Sequence, residues 1–196
     1  MNTDKKNPNR LNVRDIITMA VSYVLIFAIY FLGSPIGFNP NTYIFIWAIC
    51  SILWGTIFLL MYTKVNKNNV PLIFGIAVGL FMLSYHWIVS FAIILGGIIA
   101  EIIWRKFDKK SVKTMGIVFT VQILFWQIGA TLPIMFMLDK IKNKSPEYGE
   151  LFNSVNQATT PLMEILALAL VVVCCAIGVW IGKKILRKHF EKAGII

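Results

Sequence analysis

Charge is what this chain most lacks. Aspartate and glutamate together number nine, lysine and arginine nineteen, and the four types make up only 14% of 196 residues. A soluble domain carries roughly a quarter charged residues, so too little polar surface exists here to face water on all sides. Cysteine is scarce as well. Cys50, Cys174 and Cys175 all fall inside apolar runs, with no CxxC pair. An odd number so placed excludes a disulfide framework and a zinc site and leaves packing as their use. Catalytic patterns are missing too: there is no HExxH, no GxSxG and no phosphate loop. Gly178 and Gly182-Lys183 have the wrong spacing for the last, and Lys184 stands where Ser or Thr is required. The acids near the apolar runs are Glu101 and Glu164, placed close to opposite membrane faces, so they form no catalytic pair. These absences argue against an enzyme, against a primary pump and against a bound cofactor or metal.

What the chain has in abundance is apolar sequence, 58% of its residues. The reading is an all-α integral membrane protein with six transmembrane helices. A tail over 1–15 precedes spans at about 16–33, 43–63, 70–84, 87–104, 114–138 and 162–182, and a basic tail fills 183–196. The first run lacks an A-x-A-like cleavage site and is read as a retained helix. The uncharged run Val70–Ala100 is too long for one ordinary helix. Basic loops flank it on both sides, so it reads as a hairpin of two short helices turning near Ser84-Tyr85-His86-Trp87. On this topology sixteen of the nineteen Lys and Arg lie inside and three, Lys140, Lys142 and Lys144, outside. The bias sets both termini in the cytoplasm of a cell membrane protein.

The connection from Asp139 to Thr160 is long for a structureless loop. Ser145-Pro146-Glu147 has the form of a helix start, and Tyr148, Leu151, Phe152 and Val155 share one apolar stripe. A short amphipathic helix on the outer surface is expected, with Asn153, Asn156 and Gln157 off the stripe.

Polar and aromatic residues in the outer half supply the candidate site. Gln122 and Gln127 lie about 140° apart around the fifth span, and each reads either as an interhelical hydrogen bond or as a polar contact in a substrate cavity. Trp126 neighbours Gln127. His86 sits at the outer turn between Tyr85 and Trp87, as an interfacial cap or a ligand contact. Glu164, in the first turn of the last helix, either complements the macrodipole or pairs with a cationic ligand group. Asn39 and Asn41 flank Pro40 and are expected to shape a turn. Gly75…Gly79, Gly96…Ala100 and Gly178…Gly182 have the small-xxx-small spacing that lets helices approach closely.

Several stretches together resemble a known family. Asp15-Ile16-Ile17-Thr18 leads into the first span and Tyr62-Thr63-Lys64-Val65 follows the second. Gly96-Gly97-Ile98-Ile99-Ala100-Glu101 ends the fourth, and Trp126-Gln127-Ile128-Gly129 lies in the fifth. With the size, the six segments and the long outer loop, the chain resembles the substrate-binding (S) components of energy-coupling-factor transporters, and within them the Trep_Strep group. The resemblance implies a membrane-embedded binding subunit with an outward pocket, docking on a transmembrane scaffold protein that carries two cytoplasmic ATPases. Substrate residues would come from Tyr85, His86, Trp87, Trp126, Gln127, Asn156 and Glu164. In S components an Ala-xxx-Ala pattern on the first helix contacts the scaffold; here Ala20, Val24 and Ala28 occupy that repeat, with Val at the middle position. The ligand suggested by an aromatic-rich, nearly acid-free outer half is a planar vitamin- or cofactor-like molecule. Haem or another tetrapyrrole is a further option resting mainly on His86. The competing reading is a stand-alone facilitator or a structural partner of another membrane complex.

Overall fold

Helix is the only regular structure among the residues described by the computed structural model, 9–143 and 148–188. In chain order the helices are α1 Val13–Gly37, α2 Ile46–Lys64, α3 Val70–Met82, α4 Trp87–Lys106, α5 Val112–Phe136, α6 Leu138–Lys142, α7 Gly149–Ala158 and α8 Pro161–Leu186, with a 3-10 turn at Tyr43–Phe45 before α2. Five of them (α1, α2 with its leading turn, α4, α5 and α8) are long and apolar enough to cross a membrane. The sixth apolar segment differs from expectation. α3 has 13 residues, so it rises about 20 Å and falls short of a hydrocarbon core of about 30 Å.

Boundaries depart from the sequence reading at several ends, each for a local reason. α1 starts inside the expected tail because Asn12 and Asp15 form a reciprocal capping box, with bonds of 2.9 and 2.8 Å. At its other end α1 runs through Ser34-Pro35 to Gly37. The chain then turns: the Thr42 hydroxyl donates to the Ile36 carbonyl at 2.7 Å, and Asn39 Oδ1 accepts from the Asn41 N–H at 3.0 Å. α8 continues past Gly182 to include Lys183 and Lys184. Lysines are favourable in a last turn, and Lys184 lays its ammonium 3.7 Å from the Trp180 ring centroid. The Ser145-Pro146 helix start lies outside the described residues; α7 itself begins at Gly149.

α2 and α5 form the middle of the bundle, 61% of each span being buried, whereas α1 is 17% buried. α8 and α1 flank α2, α4 and α8 flank α5, and α3 packs on α4. In two seams glycine meets glycine. A Cβ on Gly55 of α2 would stand 2.7 Å from the Cα of Gly178 on α8. One on Gly75 of α3 would stand 2.7 Å from the Cα of Gly97 on α4. Both backbones therefore touch without intervening side chains, which is how helices associate where no water is displaced.

The bundle has a basic end and an aromatic end. At the basic end the α2–α3 loop is stitched to α1 and α4. Lys67 pairs with Asp15 at 2.6 Å, and the Trp104 indole N–H donates to the Lys67 carbonyl at 2.8 Å. Asn69, at φ 70°, donates its N–H to Glu101 at 2.8 Å, and Glu101 also accepts from Arg105 at 2.6 Å. Glu101 is thus a loop anchor on the face opposite Glu164.

Gly55→Ala is expected to lower the stability of the detergent-solubilised chain by about 1–3 kcal/mol through overpacking against backbone. Gly116→Ala, whose new methyl would meet Val179 at an ordinary 3.4 Å, should change the melting temperature little. Equal melting of both variants would refute the close-contact account.

Candidate ligand site at the aromatic end

The aromatic end is built from rings that face one another because their helices terminate there together. Tyr30 and Phe31 come from α1, Tyr43 from the 3-10 turn, Phe81 and Met82 from α3, Tyr85 from the α3–α4 turn, and Tyr148 and Leu151 from α7 and its cap. They enclose a cavity of about 280 Å³, whose remaining polar lining includes Ser34. The Tyr43 and Tyr85 hydroxyls bond to each other at 2.8 Å across the cavity wall. Tyr85 is held on its other side by Tyr148 and Phe152, with ring centroids at 5.1 and 5.7 Å. Beneath Tyr30 lies a column of indoles: Tyr30 to Trp126 is 5.7 Å, and Trp126 stacks on Trp54 at 5.4 Å with the planes 9° apart.

α7 forms the roof. Phe152 and Val155 are buried, and Tyr148 and Leu151 are half-buried, so the stripe at these four positions faces the bundle. Of the off-stripe residues Asn156 is half-buried and Gln157 exposed.

The residues expected to contact substrate do not come together. Tyr85 lines the cavity. Trp126 supports its floor through Tyr30 without lining it. His86, Gln127 and Glu164 are buried elsewhere, and Trp87 is 53% exposed on the outside of α4. His86 caps α4, its Nδ1 accepting the Ile88 N–H at 3.2 Å. The space beside it, bounded by Gly129, Pro133 and Phe152, is about 10 Å³. That is the room of one water, and it seats no macrocycle. Gln127 and Glu164 join α5 to α8: Glu164 Oε1 accepts from the Thr131 hydroxyl at 2.7 Å and from Gln127 Nε2 at 3.4 Å. The other oxygens of this pair, Glu164 Oε2 and Gln127 Oε1, have no hydrogen-bond partner among the described residues. Gln122 is likewise interhelical. It accepts from the Tyr62 hydroxyl at 2.5 Å and donates to the Pro71 carbonyl at 2.9 Å.

Tyr30, Tyr43, Tyr148 and Phe81 were not among the expected site residues. Their signal was collective, an excess of rings at the ends of successive apolar runs, and no single position carried it. Among the described residues no three His, Cys, Asp or Glu side chains converge as a metal site would require. The cavity offers ring faces, phenol hydroxyls and two serines, Ser34 and Ser84, a set suited to holding a planar apolar body with a few polar edges.

Comparison with known proteins adds the family. Residues 13–192 match Trep_Strep, described as hypothetical bacterial integral membrane proteins. The chain belongs to this family. No curated protein and no solved structure matches it. Membership in Trep_Strep fits the five long apolar helices and makes this a bacterial-type integral membrane protein.

Thr131→Val keeps the shape of α5 and removes the shorter bond to Glu164. Because the carboxyl is 2% exposed, the loss should cost about 1–2 kcal/mol, read as a lower melting temperature in detergent. Thr18→Val, whose hydroxyl donates to the Arg14 carbonyl of its own helix at 2.9 Å on an exposed face, is the control and should cost less.

Proposed function

We propose that this chain is the substrate-binding subunit of an energy-coupling-factor-type importer. It captures a planar vitamin- or cofactor-like molecule in the aromatic cavity outside the cell. The observation that carries the reading is the cavity itself, roofed by α7, at the end of the bundle away from the basic loops. In this orientation the basic end faces the cytoplasm, both termini lie inside, and the short α3 forms a hairpin with α4 as a sixth, incomplete span.

A cavity of about 280 Å³ sits at the lower edge of ordinary small-molecule pockets, about 300–1,000 Å³. A flat bicyclic or monocyclic ligand suits it better than a tetrapyrrole. Ligand selection would rest on stacking against Tyr30, Tyr85 and Tyr148, and on the bonded Tyr43–Tyr85 hydroxyls. The roof gives a path for entry. α7 is joined to the rest by connections outside the long helices, and its two buried residues, Phe152 and Val155, are few enough for it to lift. Each such side chain contributes about 1.5–3 kcal/mol when fully buried, offset by roughly 1–2 kcal/mol per residue ordered.

Delivery would need partners, a transmembrane scaffold with two cytoplasmic ATPases. The exposed face of α1 supports such docking. Ala20, Val24 and Ala28 all point away from the bundle, flanked by exposed Ile17, Val21 and Leu25. A small-residue stripe in the middle of an unburied helix lets a partner helix come close.

Affinity purification of the tagged chain from its native membrane is expected to bring down a scaffold and two ATPases. Ala20→Trp should abolish that association while leaving a ligand recoverable by mass spectrometry. Ser34→Trp should do the reverse by filling the cavity. A chain that copurifies with no ATPase, or that releases the same ligand from the Ser34→Trp variant, would sink the assignment and favour a stand-alone membrane protein.

A further inference from the structure

The last helix is fastened to α5 through a carboxyl with too few hydrogens around it. Glu164 is 2% exposed and Gln127 is fully buried. Their side chains lie against each other, with Gln127 Nε2 3.4 Å from Glu164 Oε1. Thr131, one turn on from Gln127, brings a hydroxyl whose single proton faces two acceptors. These are Glu164 Oε1 at 2.7 Å and the Gln127 carbonyl of its own helix at 2.9 Å. Glu164 Oε2 and Gln127 Oε1 have no partner among the described residues. Drawn as a carboxylate, the cluster sets three side-chain oxygens against one hydroxyl proton and one long amide contact. A buried acceptor left without a donor costs about 1–3 kcal/mol, and more when charged. Turning the Gln127 amide over gives no relief, because its oxygen would then stand 3.4 Å from Glu164 Oε1.

No positive charge answers the carboxyl either. Three elements pack on α8: α5, α2 and the 3-10 turn. Beside Glu164, α5 presents Gln127 and Thr131, both neutral. The 3-10 turn presents Tyr43, near enough to feel the Glu164 charge. The lysine of α2, Lys64, ends that helix at the basic end of the bundle. Position in the first turn of α8 favours a negative charge by about 0.3–1 kcal/mol at an exposed site. That is small beside the several kcal/mol an unpaired ion costs away from water.

We propose that Glu164 is a proton-binding site, its carboxyl held as the neutral acid in a reciprocal pair with the Gln127 carboxamide. A proton on Oε2 turns that oxygen from acceptor to donor and gives Gln127 Oε1 its bond, so one hydrogen serves both vacant atoms. Oε1 stays an acceptor for Thr131 and for Gln127 Nε2. A metal ion could serve the same oxygens by charge but needs further oxygen ligands around it, whereas the proton needs none. The pair joins α5 to α8 without leaving a charge in the seam, and it does not depend on what the aromatic cavity binds.

Infrared spectra of the purified chain in detergent at neutral pH test this. The C=O stretch of a protonated carboxyl lies apart from the amide bands, and ionised Asp and Glu do not contribute to it. The unmodified chain is expected to show this band, and Glu164→Gln to lose it. Glu164→Gln should melt close to the unmodified chain, since its amide N–H replaces the acid O–H, and Glu164→Ala should melt lower. Gln127→Leu, which removes the partner and keeps the acid, should move the band to higher frequency. Absence of the band from the unmodified chain would overturn the proposal, as would a band that survives in Glu164→Gln. An unmoved band in Gln127→Leu would refute the pairing with Gln127. A missing band together with a melting temperature raised by sodium over choline would assign a metal-cation site in its place.

Discussion

The bundle hangs on one indole. Trp54 lies in the centre of α2 with no exposure to its surroundings, donates its N–H to the Ile26 carbonyl of α1 at 2.9 Å, and stacks its face on Trp126 of α5. Three helices are thereby tied at one level. In a hydrocarbon environment water cannot serve as partner, so an indole N–H this deep must find a protein acceptor. A helix carbonyl retains a second lone pair for that purpose. The bond fixes α1 against α2 even though α1 buries little else. It is the reason a helix with so much apolar surface turned outward is nonetheless held in register.

Polar side chains elsewhere follow the same logic at other depths. Gln122 joins α5 to α2 and α3 near the middle, Gln127 and Thr131 join α5 to Glu164 of α8 toward the aromatic end, and Glu101 anchors the α2–α3 loop at the basic end. α5 is common to two of the three. It carries most of the polar groups and its neighbours supply partners, while glycine contact closes the α2–α8 and α3–α4 seams and also the α4–α5 seam, where Gly96 faces Phe125 and Gly129 faces Ala92. Orientation and proximity are thus provided by different residue types. Hydrogen bonds set which faces meet, and glycines let the backbones close the remaining distance.

Much of this was legible in the chain. The apolar runs gave the long helices, and the small-residue spacings at Gly75, Gly96 and Gly178 marked seams that do pack closely, Gly96 against Phe125 of α5, while its unmarked neighbour Gly97 meets Gly75. At the helix ends a local interaction overrides a compositional cue. Pro35 and the basic residues Lys183 and Lys184 looked like stops, yet helix continues through all three. The site was less readable still. His86, Gln127 and Glu164 are rare polar residues in apolar sequence, and in the bundle His86 caps α4 while Gln127 and Glu164 bond across α5 and α8. A residue that must satisfy a neighbour in the absence of water stands out in sequence just as a ligand contact would. Rings do not stand out, because they are common in spans, and the cavity is made of rings.

That difference bears on what kind of ligand the aromatic end can hold. A pocket built from Tyr30, Tyr43, Tyr85 and Tyr148 has its polar groups at the tips of rigid planes, so hydrogen-bonding positions are set by ring packing and not by flexible side chains. The Tyr43–Tyr85 bond is the case in point, each ring being fixed by further ring contacts at Trp47, Tyr148 and Phe152. Ordering costs on binding are then small for the walls, with two χ angles each already set, and fall mainly on the α7 roof. An affinity set by stacking and by a prearranged pair of hydroxyls favours flat molecules with polar edges over flexible or highly charged ones. α7 contributes only Phe152 and Val155 as buried residues and rests on the ring-lined end, whereas the Trp54–Trp126 column lies below it in the long helices. The rings thus form two layers, one lining the cavity and one tying α1, α2 and α5 together beneath it, so that packing of the cavity walls and packing of the long helices depend on different side chains.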